Sequence, residues 1–171
     1  ALGKPDWIVK RLAQVKGCHL FHDVTNRKWA QKAVDSGVDG LICVNNRAGG
    51  HAGTESPQDL YQHLKDFGLP LVCAVGVGGK EQFASAIKIG YAGVQMGSRF
   101  IATTECSAHQ DYKQAIVNAR AEDIVLTKKL TGVPVAIINT AYMQKKGIQT
   151  GRLANWLLKS NRTKHIMRMF Y

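Results

Sequence analysis

The sequence predicts an α/β fold on a parallel sheet, and three observations predict it. Between residues 6 and 100, short apolar runs of strand length alternate four times with segments whose apolar residues recur at helical spacing. The passage Gly37-Val38-Asp39-Gly40-Leu41 is echoed by Gly90-Tyr91-Ala92-Gly93-Val94, and three of the four apolar runs lead into glycine-bearing loops. Such alternation means parallel strands joined by helical crossovers, because parallel neighbours need a long connection. A doubly wound sheet and part of a (β/α)₈ barrel both satisfy it. In either one the loops after the strands gather on a single face, where ligand sites form.

Each element has its own local signal. Trp7, Ile8, Arg11, Leu12 and Val15 give residues 6–16 a helical face, with Gly17 as a stop, and Cys18 to Val24 reads as the first strand. Trp29, Ala30, Ala33 and Val34 restore the helical period over Asn26 to Ser36 until Gly37, and Leu41 to Val44 is the second strand. Ser56-Pro57-Gln58-Asp59 is a helix start: Ser56 can cap, Pro57 suits the first helical position and Asp59 favours the positive helix end. Leu60, Leu64 and Phe67 form the buried stripe that follows. Pro70 to Val75 is the third strand, and the helix after Gly79 is expected to turn Phe83, Ala86 and Ile87 inward before Gly90 stops it. Gly93 to Met96 is the fourth strand. Beyond Ile101 the pattern changes: Asp111 to Ala121 reads as a helix, Gly132 to Val135 as a turn into an extended segment, and Arg152 to Leu158 as amphipathic.

At 171 residues, 45% hydrophobic and 20% charged, the chain suits one globular domain, and no linker or low-complexity stretch argues for a second. No apolar segment approaches the roughly 18 residues of a membrane span, and residues 1–10 do not resemble a signal peptide, so a cytoplasmic location is expected. The net charge of +11 belongs partly to one tail, since Ala141 to Tyr171 holds seven basic residues and no acidic one. Without a recognised module or an aromatic-basic platform, a solvated basic face is expected rather than nucleic-acid binding. Cys18, Cys43, Cys73 and Cys106 lie far apart with no C-x-x-C pair, which suits buried reduced thiols better than disulfides or zinc.

Three loops carry the candidate chemistry: Gly49-Gly50-His51, Gly76-Val77-Gly78-Gly79 and Gly97-Ser98. Glycine lets a backbone approach a ligand closely, and an imidazole exchanges protons near neutral pH. The last two loops suit a phosphate, with unobstructed backbone N–H groups and the Ser98 hydroxyl, although tight turns between strand and helix would use the same residues. Gly76 to Gly78 is not a dinucleotide fingerprint, because no third glycine follows at the required offset. His19 and His22 read as ordinary hydrogen-bonded histidines. Asp23 would face the ligand side or cap a helix. His63, His109 and His165 lack metal-ligand spacing, so no metal site is expected, and Met167 to Tyr171 reads as a packing tail.

The blocks A-G-G-H-A-G (Ala48 to Gly53), P-L-V-C-A-V-G-V (Pro70 to Val77), G-V-Q-M-G-S-R-F (Gly93 to Phe100) and E-C-S-A-H-Q-D-Y-K-Q-A-I (Glu105 to Ile116), in that order, resemble the nitronate monooxygenases, formerly 2-nitropropane dioxygenases. The likeness runs from about residue 6 to residue 120. It implies an FMN-dependent flavoprotein with a (β/α)₈ barrel that oxidises alkyl nitronates or nitroalkanes with O₂ to carbonyl compounds and nitrite. By position, His51 would be the base beside the nitro group, and Gly49 and Gly50 would approach the flavin. Val75, Gly76, Gly97 and Ser98 would hold the FMN phosphate, with Gln95 and Met96 near the cofactor. The flavin-type enoyl-acyl-carrier-protein reductases share much of this pattern and give an alternative activity.

The chain departs from the family in four ways. Arg47 stands where an acidic residue is usual, Val75 where a second glycine is usual, and Asp23 where several members carry lysine. These exchanges admit a third reading, a non-catalytic anion-binding or assembly half-barrel. The fourth departure is length, since a closed barrel takes about 250 residues. By resemblance, Ala1 to Pro5 would end the fourth barrel strand and the four strands found here would be the fifth to eighth. The expectation is therefore the C-terminal half of a barrel, a parallel half-barrel over about residues 6–120 with a C-terminal helical extension over about 121–171. With two sheet edges open, it should pair with a missing N-terminal half or self-associate.

Overall fold

The alternation of strands and helices is present in the computed structural model, which describes residues 5–12, 14–74, 76–129 and 134–149. Val75, the amphipathic run Arg152 to Leu158, His165 and the Met167 to Tyr171 tail lie outside the described residues, as do the first four residues. The chain divides into two units, one of Ala1–Ala48 with Ala52–Gly97 and one of Gly49–His51 with Ser98–Tyr171.

The first unit holds α1 (Asp6–Leu12), β1 (Phe21–Val24), α2 (Arg27–Asp35), β2 (Gly40–Val44), α3 (Pro57–Leu64), β4 (Leu71–Ala74), α4 (Lys80–Ile89) and β5 (Gly93–Gln95); β3 (Gly50–His51) belongs to the second. Its sheet has the order β1-β2-β4-β5 with every pair parallel, as the sequence predicts. The register lines up Val24, Cys43, Cys73 and Val94 in one row. Because strand side chains alternate between faces, Leu41, Cys43, Leu71 and Cys73 all meet the helices, where Ala30, Ala33, Leu60, Leu64 and Ala86 complete the core. Leu41, Leu60 and Leu64 are fully buried, each contributing about 1.5–3 kcal/mol relative to exposure. On the opposite face Ile42 and Val72 are half-buried.

Helix boundaries follow the cap residues. Asn26 accepts from the Trp29 amide at 3.1 Å to start α2, and Ser56 accepts from the Asp59 amide at 3.1 Å to start α3 ahead of Pro57. Gly90 ends α4 at φ +117°, a left-handed conformation that an L side chain rarely adopts. The buried Tyr91 hydroxyl donates to the Pro57 carbonyl at 2.8 Å. Two expectations fail here. Phe83 and Ile87 stay 46% and 42% exposed, because α4 turns the face bearing Ala86 to the sheet. The first helix ends at Leu12, short of Lys16, and Trp7 on it is exposed.

The second unit holds β3 with α5 (Ser98–Ile101), α6 (Gln110–Asn118), β6 (Ile124–Thr127), β7 (Val135–Ile138) and α7 (Ala141–Lys146). Its antiparallel sheet runs β3-β7-β6. The expected helical extension is thus corrected over these residues: Ile-Val-Leu-Thr and Val-Ala-Ile-Ile, both rich in β-branched residues, pair as strands before α7 begins, the second where an extended segment is expected from Val135. Lys129 donates through Nζ to the Lys146 and Gly147 carbonyls and satisfies the end of α7.

Candidate functional site

In the first unit, the loop leaving β2 is held by a fully buried side chain. The Asn45 carboxamide donates to the Ala74 carbonyl at 3.0 Å and accepts from the Arg47 amide at 2.8 Å, while its own carbonyl accepts from the Gly53 amide at 3.1 Å. A Cβ on Gly53 would run into the Val44 carbonyl oxygen, so only glycine lets the loop return there. Sequence reasoning overlooked Asn45. Its signal was present, since an asparagine directly after a strand commonly bonds the backbone two residues on.

Arg47 lies across the next glycine loop. A Cβ on Gly76, which sits at φ +80°, would come 2.8 Å from the Arg47 Cβ. Together with Val77, Cys73 and Gln82 these two residues line a cavity of about 60 Å³. Burial raises the Cys73 thiol, opposed by the Asn45 hydrogen bond and the Arg47 charge; burial and then Cys73 push Cys43 up to about 12. Both are inert neutral thiols, as expected of buried cysteines. Cys18 departs from that expectation and is exposed.

No atom lies within 4 Å of where a Cβ on Gly78 or Gly97 would stand. Gly79 caps α4 without a side-chain hydrogen bond, and the Gln82 Oε1 lies 3.3 Å from where a Cβ on Gly79 would stand. Gln95 ends β5 opposite Ala74 and is exposed, and Met96 is half-buried. Asp23 and His22 are half-buried on β1. His19 faces Asp39 at 3.8 Å, and His63 bonds Glu55 at 2.6 Å, so these two serve local pairs.

In the second unit, Gly49 and Ser98 are brought together: a Cβ on Gly49 would lie 2.6 Å from the Ser98 Oγ. Gly50 takes φ +89° with open space beside it. His51 pairs through its backbone with Val135 in β3 and exposes its imidazole. His109 caps α6 by accepting from the Asp111 amide at 3.2 Å. The Glu105 carboxyl is held low mainly by hydrogen bonding from Thr103. Among the described residues no cluster of His, Cys, Asp or Glu could hold a metal ion.

Exposed glycine backbone and an arginine with no ion pair among the described residues fit a phosphate-bearing group approached by backbone amides. Residues 1–169 match the profile of the nitronate monooxygenase family. The chain belongs to that family. The family is generally flavin-dependent. The chain is 28% identical over 155 residues to a probable nitronate monooxygenase of Staphylococcus saprophyticus, a match covering 84% of this chain and 44% of that protein. It is 31% identical over 141 residues to (3aS,4S,5R,7aS)-5-hydroxy-7a-methyl-1-oxo-octahydro-1H-indene-4-carboxyl-CoA dehydrogenase of Rhodococcus jostii, covering 82% and 40%. FabK from Thermotoga maritima superposes with a TM-score of 0.74 at 28% identity, covering 84% of this chain and 46% of that one. A nitroalkane oxidase from Streptomyces ansochromogenes gives 0.74 at 22% identity over 95% and 52%, a likeness of fold alone. The chain spans about half the length of these relatives. Among its described residues no helix is long and apolar enough to cross a membrane.

Proposed function

We propose that the chain supplies the C-terminal strands of an FMN-binding (β/α)₈ barrel that oxidises alkyl nitronates or nitroalkanes with O₂, giving carbonyl compounds and nitrite. The observation that carries this reading is the family match over residues 1–169. By position in the family's motifs, Gly49, Gly50, Val75, Gly76, Gln95, Met96, Gly97 and Ser98 bind FMN. The flavin, when bound, supplies the redox chemistry. His51 accepts the proton from the carbon bearing the nitro group. The outer strands β1 and β5 are completed by the barrel's other strands, from a longer chain or a second polypeptide. A cytoplasmic location accords with this reading.

Two measurements test it. The full chain should turn yellow and quench flavin fluorescence on FMN addition; a colourless protein would sink the reading. His51→Asn should spare flavin binding and depress turnover of neutral nitroalkane far more than of preformed nitronate, whereas equal losses would remove His51 from the base role.

A second activity has specific support. The likeness to a dehydrogenase named for a carboxyl-CoA compound, and the pattern shared with flavin-type enoyl-acyl-carrier-protein reductases, favour a thioester substrate. Nicotinamide oxidation driven by a crotonyl thioester, without nitroalkane turnover, would select NAD(P)H-dependent enoyl-thioester reduction.

A further inference from the structure

We propose that Arg47 is an anion-binding residue that pairs with the flavin phosphate at the Gly76 loop, making the chain discriminate FMN from riboflavin. The proposal rests on the reading that the chain binds FMN. Four observations in the first unit carry it. The Arg47 stem lies against Gly76, with its Cβ, Cγ and Cδ all within 4 Å of where a Cβ there would stand. Its backbone amide is fixed at 2.8 Å on the Oδ1 of the buried Asn45, so the start of the side chain is anchored. No carboxylate among the described residues pairs with its guanidinium. The loop it crosses leads through Gly78, where a Cβ would have space around it, to α4, a ten-residue helix whose N-cap, Gly79, makes no side-chain hydrogen bond.

An arginine fixed at its backbone, with its stem on Gly76 and no carboxylate pairing with it among the described residues, beside a glycine-capped helix start, is half of a dianion site. Its planar fork bonds two phosphate oxygens at once, which a neutral side chain cannot do. The pull of Arg47 on the Cys73 thiol, against burial, shows that its charge is felt at the end of β4. Riboflavin offers the same ring and ribityl chain without the phosphate, so the difference between the two flavins isolates the contact.

The test is titration of the full chain with FMN and with riboflavin, followed by flavin fluorescence, for the wild type, Arg47→Gln and Arg47→Lys. Arg47→Gln should weaken FMN roughly tenfold or more and leave riboflavin unchanged, and Arg47→Lys should recover part of the loss. Unchanged FMN affinity, or equal loss for both flavins, overturns the proposal. Melting in phosphate-free buffer should be the same for Arg47→Gln and wild type, as befits an exposed side chain. If the wild type binds neither flavin, the FMN reading has failed. Inorganic phosphate then decides on Arg47: a phosphate-dependent rise in Tm that Arg47→Gln loses sustains the anion role, and no difference between the two proteins ends it.

Discussion

The carboxamide of Asn45 donates to the carbonyl of Ala74 at 3.0 Å, tying the loop that leaves β2 to the last residue of β4. The other half of the same amide accepts from the Arg47 backbone, so one buried side chain sets both the path of the loop and the place of the cation. Asn45→Ala leaves the Ala74 carbonyl and the Arg47 amide unpaired in a buried place. We expect a loss of about 2 kcal/mol or more, read as a lower urea midpoint at unchanged slope. Asn45→Asp should cost more, because an anionic oxygen would face the Ala74 carbonyl. A smaller loss for Asp than for Ala would contradict this account.

Gly53 and Gly97 are the same residue type used for different reasons. A methyl group at 53 meets the Val44 carbonyl, a backbone atom that cannot turn aside, while a methyl group at 97 meets nothing within 4 Å. Gly53→Ala should therefore destabilise by about 1–3 kcal/mol, and Gly97→Ala should stay within about 0.5 kcal/mol of wild type. If Gly97 is bare so that a ligand can approach, Gly97→Ala should weaken FMN binding while its melting curve does not move. Unaltered FMN affinity in that variant would assign the glycine to the turn alone.

The parallel sheet was legible because its signals are local. Apolar runs at strand length, Ser56 as a cap, and Gly90 as a stop each act over a few residues, and all three took the structure they imply. What failed depended on partners distant in sequence. Which of two apolar faces α4 buries is decided by the sheet beneath it, so Phe83 could not be distinguished from Ala86 by spacing. The strand β6 follows no glycine-bearing turn or helix of the repeating pattern, β7 was legible only as the extended segment that Gly132 to Val135 leads into, and β3 exists only because Val135 and Ala136 pair with it. At the candidate site, composition exposed the glycines and His51. The buried hydrogen bonds of Asn45 and the stacking of Arg47 on Gly76 join separate loops, and spacing carries no record of them.

The thiols of Cys43 and Cys73 sit at one register position on adjacent strands, and both are buried. Burial, helped by Cys73, raises Cys43 from 9.0 to about 12. The folded value lies above the unfolded one, so folding favours the protonated thiol. Its contribution is fully present below about pH 9 and is lost as pH rises toward about 12. Urea midpoints should hold steady up to about pH 9 and then decline, less steeply in Cys43→Ala. Parallel declines in the two proteins would remove Cys43 as a cause. At neutral pH a thiol reagent should modify the exposed Cys18 at once, and Cys43 and Cys73 only as the protein unfolds.

Within the second unit, Gly49 and Ser98 are close enough that a side chain at 49 would collide with the serine hydroxyl. The backbone of Gly49 is not left-handed, so the obstacle is that hydroxyl and not the torsion angle. Gly49→Ala should consequently destabilise by about 1–2 kcal/mol alone and far less beside Ser98→Ala, whose removal leaves the serine Cβ at an ordinary 3.9 Å. A double-mutant cycle in urea should show a favourable coupling of about 1 kcal/mol, whereas additive losses would mean the two residues do not share the space. The FMN affinities of the same four proteins carry a separate message. Ser98→Ala removes a hydroxyl donor, and the proposed phosphate contact requires FMN to weaken in it and in the double variant even where stability has been restored.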